Sequence, residues 1–161
     1  MWCSLVKTLA VYFIGFLLIL IFVDSTSFET TISKDVSSLI VKKIKYGDLI
    51  VKCSELLNID PLLIAAIIRV ESDFRAHIES NSGDVGLMQI SRFWQRIFVN
   101  EGFNLKDPEQ NIALGCLILK LYLSKSKNLK EALNRYNKRP DYFERVMKAY
   151  EEFHANFQRF D

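Results

Sequence analysis

Glu71 closes a nearly all-apolar segment, Leu62 to Val70, and Ser72-Asp73-Phe74 follow it. A carboxyl on an apolar wall tends to keep its proton near neutral pH, because desolvation disfavours the charged form. A retained proton is what a general acid needs. Further along, Gly86-Leu87-Met88-Gln89-Ile90 sets a glycine turn before a flexible apolar residue and an amide. Backbone, thioether and amide in that order suit a wall that meets a sugar. Together the two strings point to cleavage of a glycosidic bond. Asp73, Glu79 and Asp84 are the other acids nearby, and each reads as solvated surface. A carboxylate facing Glu71 across a trapped water would instead favour hydrolysis. His77 and His154 stand alone, and no His/Cys cluster has metal-ligand spacing. Neither a metal nor a cofactor is therefore expected.

Helices must position these groups. From Val36 the apolar residues Leu39, Ile40, Ile44, Leu49, Ile50, Cys53, Leu56 and Leu57 fall at helical spacing, with Gly47 as a break or kink. Asp60-Pro61 starts a second helix, with Asp as N-cap and Pro at the first helical position. Its body, Leu62 to Ile68, is apolar all round and reads as buried on every side. Glu71 shares a face with Ile64 and Ile67. Residues 75–85 form a loop, and a third helix is predicted from about Gly86 to Phe98. Asp107-Pro108-Glu109-Gln110 starts another helix, with Gln110 at the capping-box position. Asn128 with Glu131 opens a short helix through Tyr136. Pro140-Asp141 opens the last, with Phe143, Val146, Met147, Tyr150 and Phe153 on its inner stripe. There are no clear alternating strands and no repeats. The fold class is mainly α, over residues 36–158.

The chain has 161 residues, half of them hydrophobic, enough for one domain with a real core and too apolar for general disorder. A formal charge of +2 without a basic stripe gives no sign of nucleic acid. Before the domain, Lys7 precedes an uncharged apolar run from Leu9 to Val23 that Asp24 ends. The run is short for a spanning helix and suits an export signal. The flanking charges put the domain outside the cytoplasm. Residues 1–27 read as a signal peptide or a membrane anchor, and the Ser/Thr-rich 28–35 as a tether. Cys3 precedes the apolar run and cannot be a lipid acceptor that would follow it. Cys53 and Cys116 read as two separate buried thiols, with a disulfide open to them outside the cytoplasm.

The ordered set Ile59-Asp60-Pro61, Glu71-Ser72-x-Phe74, Ser82-Gly83-x-x-Gly86-Leu87-Met88-Gln89, Asp107-Pro108-x-x-Asn111-Ile112 and Tyr136-Asn137 resembles the catalytic domain of soluble lytic transglycosylases, relatives of goose-type lysozyme. The resemblance runs from about Tyr46 to Tyr150. It implies a lysozyme-like helical fold and peptidoglycan glycan strands as substrate. It further implies cleavage of the β-1,4 bond between N-acetylmuramic acid and N-acetylglucosamine. Glu71 matches the single catalytic acid, which first protonates the leaving oxygen and then deprotonates the muramyl 6-hydroxyl, leaving a 1,6-anhydro end. Ser72, Gly86, Met88, Gln89, Tyr136 and Asn137 match substrate-cleft positions, with the Tyr136 hydroxyl expected near the acid. Ser72 could equally bond its own helix end, and Asn111 and Asn137 could be structural tethers. Two departures stand out. Lys138-Arg139-Pro140 replaces the small residues that usually follow Tyr-Asn, which either reshapes the cleft edge or adds anion affinity. Ile90-Ser91-Arg92 follows Met-Gln where an apolar contact is usual. A wall-facing enzyme of this size fits a place in an envelope-spanning complex. Hydrolysis by water and a non-catalytic wall-binding scaffold are the alternative readings.

Overall fold

A computed structural model describes residues 35, 37–39, 41–98 and 102–157 of the chain. The apolar segment 1–27 and residues 28–34 of the tether lie outside the described residues. The chain divides into two units, Met1–Val36 and Ser37–Asp161, and everything below concerns the second. Among the described residues it is mainly helical, with no strand longer than an isolated bridge. The six bounded helices are α1 (Gly47–Leu57), α2 (Pro61–Ser72), α3 (Arg92–Phe98), α4 (Pro108–Ser124), α5 (Leu129–Tyr136) and α6 (Tyr142–Phe157).

The N-terminal helical pattern is interrupted before Gly47. Tyr46 sits at φ 63°, and a Cβ on Gly47 would fall 2.1 Å from the Val41 carbonyl oxygen. Only a residue without a side chain permits that approach. α2 forms as its sequence dictates. The Asp60 side chain accepts the Leu62 N–H at 2.8 Å, and Pro61 needs no partner for its nitrogen. Every residue from Pro61 to Ile68 is buried. α2 is the central rod, packed chiefly against α6 and also against α1. A second bond ties its start to α6, where the Tyr150 hydroxyl donates to Asp60 at 2.6 Å.

α4 and α5 begin on capped turns, Asp107 accepting from Gln110 N–H and Asn128 from Glu131 N–H, each at 2.9 Å. The return bonds reach further back than a capping box requires. Gln110 accepts from Asn104 N–H at 2.8 Å, and Glu131 from Lys127 N–H at 2.9 Å. Cys53 on α1 and Cys116 on α4 are not separate. Both are free thiols, and the neighbouring Cys53 sulfur, together with burial, pushes the Cys116 thiol up.

The helix predicted from Gly86 is not there. Residues 85–90 form a tight turn closed by one bridge, with Val85 N–H donating to Ile90 at 3.1 Å and Ile90 N–H to Val85 at 2.9 Å. Gly86 at φ 82° and Gln89 at φ 45° are left-handed, and either one interrupts a right-handed helix. Helix begins only at Arg92, and none of the seven residues of α3 is buried.

Candidate active site

Glu71 lies in the last turn of α2, where the all-apolar rod emerges into a groove of about 750 Å³. Its carboxyl is half-buried. Burial is the main reason it holds its proton above the usual carboxylate range, and the nearby Asp84 charge adds to the effect. Tyr142, Asn137 and the Arg139 charge pull the other way. The net direction leaves a carboxylic acid that gives up its proton less readily than one in water.

Asn137 follows α5 and donates its amide to Glu71 Oε1 at 3.2 Å. Its other end accepts the Arg139 N–H at 3.1 Å, so one side chain orients the acid and fixes the turn beyond it. Tyr142 opens α6 and is fully buried. It stands near enough to Glu71 to favour the anion, yet its hydroxyl completes no hydrogen bond of good geometry in the resting site. Burial and the Glu71 charge push the hydroxyls of Tyr136 and Tyr142 well up, so both stay protonated. Their rings stack, with centroids 6.5 Å apart and planes 5° from parallel.

Tyr136 does not bond the acid. Its hydroxyl donates to the Met88 carbonyl at 3.0 Å and pins the 85–90 turn, while its ring lines the groove. Sequence pattern put Phe143 on the inner stripe and passed over Tyr142. The expected Val146 is fully buried and Phe143, Met147, Tyr150 and Phe153 are half-buried, while the buried Tyr142 and Ala149 extend that face. The aromatic at the first position of a helix just past Asn137 was the available signal.

The 85–90 turn is built around Asn111, which is 1% exposed. Its amide accepts Met88 N–H at 2.8 Å and donates to the carbonyls of Val85 at 3.0 Å and Leu105 at 2.8 Å. A Cβ on Gly86 would fall 2.1 Å from the Asn111 amide nitrogen. Gly86 is thus needed for this tether rather than for contact with a sugar. Met88 is likewise not a cleft side chain. It is fully buried over Gly115, whose missing Cβ would sit 2.4 Å from its sulfur. The turn points Met88 inward because Gly86 and Gln89 reverse the backbone on either side of it. Ser72 is also buried, and its hydroxyl donates to the Ile68 carbonyl at 3.1 Å, a bond within its own helix.

Gln89 does line the groove, its amide donating to the Gly86 carbonyl at 2.9 Å. Asp84 also departs from expectation. It is half-buried in the same groove, its carboxylate accepting from the hydroxyls of Ser82 at 2.7 Å and Ser80 at 3.2 Å. Asp73 and Glu79 are exposed as expected, Asp73 paired with Arg69. Phe93, Trp94 and Tyr122 give the groove an aromatic wall that suits the apolar faces of sugar rings. The arrangement can hold a polar, ring-shaped polymer against one protonated acid.

Comparison with known proteins follows the same residues. Over 84 residues the chain is 36% identical to the membrane-bound lytic murein transglycosylase C of Edwardsiella ictaluri, covering 47% of this chain and 23% of that protein. The endo-type membrane-bound lytic murein transglycosylase A of Citrobacter koseri is 35% identical over 79 residues, 44% of this chain and 39% of its own length. Its counterpart from Klebsiella pneumoniae subsp. pneumoniae is 37% identical over 73 residues, 40% and 36%. The chain spans well under half the length of each. The profile of the transglycosylase SLT domain matches residues 48–156, from the first turn of α1 to the end of α6. More than half of the chain lies within that match, and the protein belongs to the transglycosylase SLT domain family.

Proposed function

We propose that this domain is a lytic transglycosylase of lysozyme-like fold that cleaves the β-1,4 bond between N-acetylmuramic acid and N-acetylglucosamine in peptidoglycan. One observation carries this. Glu71 is a half-buried acid whose hold on its proton burial strengthens, bonded by Asn137, in the lining of a groove of about 750 Å³. Glu71 donates its proton to the glycosidic oxygen as the bond to C1 breaks. Positive charge develops at the ring, supported by the substrate's own N-acetyl group. The new carboxylate then takes the proton of the muramyl 6-hydroxyl, whose oxygen closes on C1. The acid is regenerated, no water is consumed, and a 1,6-anhydro end remains. A second carboxylate is not required, unlike the usual pair.

The names of the relatives support a wall-facing place outside the cytoplasm. Residues 1–27 would serve there as export signal or membrane anchor, and an envelope-spanning complex is the partner that such a local wall-opening enzyme fits. The second reading is hydrolysis in the manner of goose-type lysozyme, and it draws on Asp84, which lines the same groove. Its commitment to Ser80 and Ser82 favours a structural part in the turn instead. Mass spectrometry of fragments released from purified peptidoglycan separates the two. Anhydro-muramyl ends are expected. Reducing ends alone would establish hydrolysis. Glu71→Gln should abolish release by at least about a hundredfold, the usual scale of a lost general acid. Wild-type protein that binds sacculi and releases nothing would overturn both in favour of a wall-binding scaffold.

A further inference from the structure

The groove has a cationic edge opposite in character to its aromatic wall. Arg135, Lys138 and Arg139 line it on the side from which Asn137 reaches Glu71. Arg135 is already paired with Glu131 at 2.9 Å. Lys138 and Arg139 are exposed, and the side-chain ion pairs among the described residues engage neither. Their place is fixed all the same. The Asn137 amide holds the Arg139 N–H at one end and the catalytic carboxyl at the other, so the edge and the acid share one anchor. The Arg139 charge is felt at Glu71. Asp84, which lines the same groove, accepts from two serine hydroxyls. A guanidinium and an ammonium on the edge of a groove, neither engaged by a side-chain ion pair among the described residues, will attract an anionic group from a ligand.

We propose that Lys138 and Arg139 form a carboxylate-binding edge that selects glycan bearing an acid group beside the scissile bond. This rests on the reading of the groove as a glycan-cleaving site. The two sugars of the substrate differ here in a useful way. N-acetylglucosamine is neutral, whereas the lactyl ether of muramic acid ends in a carboxyl. That carboxyl is free when the peptide has been removed. When the peptide is present, it is spent in an amide, and the stem brings carboxylates of its own. Both sources offer the same chemistry to the edge. Arg139 can meet such a group bidentately and Lys138 as a point charge.

The test compares wild type with Lys138→Ala/Arg139→Ala and with Arg139→Lys on four substrates: intact peptidoglycan, glycan strands stripped of peptide, and each of these after its carboxyls are amidated. Assays run on the acid side of the pH profile, where Glu71 keeps its proton in every variant. The double variant should lose about fivefold in kcat/KM on the carboxylate-bearing substrate, mainly through KM, as two exposed charge contacts are worth. Arg139→Lys should retain most of the activity. Added salt should raise the wild-type KM and leave that of the double variant nearly flat. A loss on stripped strands assigns the lactyl carboxyl, and a loss on intact peptidoglycan alone assigns the stem. Amidation should erase the difference between wild type and double variant. A loss that persists in full after amidation, or no loss on either acidic substrate, overturns the proposal. If wild type cleaves nothing, the cleavage reading fails by itself. Co-sedimentation with native and amidated sacculi then tests the edge separately, with salt-sensitive, Arg139-dependent binding to native sacculi as the result expected.

Discussion

Replacing Asn111 with alanine should destabilise the domain by about 2–6 kcal/mol. The amide makes three buried hydrogen bonds, to Met88 N–H and to the carbonyls of Val85 and Leu105. These groups do not suffer equally. The Val85 oxygen keeps a second donor, Ile90 N–H at 2.9 Å. Met88 N–H and the Leu105 carbonyl lose the partner that the tether supplied. Each buried group left unsatisfied costs about 1–3 kcal/mol, so two such groups set the range. For a domain of this size the midpoint of thermal unfolding should fall by roughly 10 °C. Urea denaturation read by circular dichroism gives the free energy directly, and the slope with urea should not change. Asn111→Asp is the companion variant. It keeps an oxygen for Met88 N–H but turns a second oxygen toward two carbonyls, so it should cost at least as much as alanine. Activity well below the midpoint should fall too, because the freed turn carries Gln89 and the carbonyl that holds Tyr136. A loss of stability under about 1 kcal/mol for Asn111→Ala would refute the account of the turn.

Two further outcomes concern the acid. Tyr142→Phe removes a group that favours ionised Glu71, so Glu71 should stay protonated to higher pH. The alkaline limb of the kcat/KM profile should therefore move upward, and stability should hold on the acid side, where Glu71 is protonated, and fall above it, where the anion loses that support. An unmoved limb would remove Tyr142 from the site. Glu71→Gln should be more thermostable than wild type at neutral pH. Burial raises the folded-state pKa of Glu71, so its contribution is present below the ordinary carboxylate value and is lost as pH rises through the raised one. The difference in melting temperature should shrink steadily on acidification, and a constant difference across pH would contradict the raised pKa.

Local chemistry made the helix starts legible. Asp60, Asp107 and Asn128 each accept the amide that a capping residue should accept. The apolar run of α2 announced a buried rod, and Glu71 at its end was readable from spacing alone. The 85–90 turn was not. Its Leu87, Met88 and Ile90 sit at spacings that a helix would also use, and only the left-handed angles at Gly86 and Gln89 turn Met88 into the core. Tyr142 was hidden for a related reason. The inner face of α6 is wider than the stripe of large apolar residues, and packing against α2 buries its edge residue Tyr142 as well. Asp84 looked like surface because the serines that hold it are themselves polar loop residues.

One wall of the groove is far less secured than the others. α3 buries no residue fully; among its anchors are the Gln95 amide, bonded to the Gly83 and Ile90 carbonyls at 2.6 and 2.7 Å, and the half-buried rings of Trp94 and Phe98 against the core. Phe93, which faces the groove from this helix, is 63% exposed. Opening α3 locally uncovers little apolar surface, whereas moving α2 uncovers the whole core, so the two belong to different tiers of hydrogen-exchange protection. The consequence is a groove whose walls differ in stiffness, with Glu71 carried on the stiffer one.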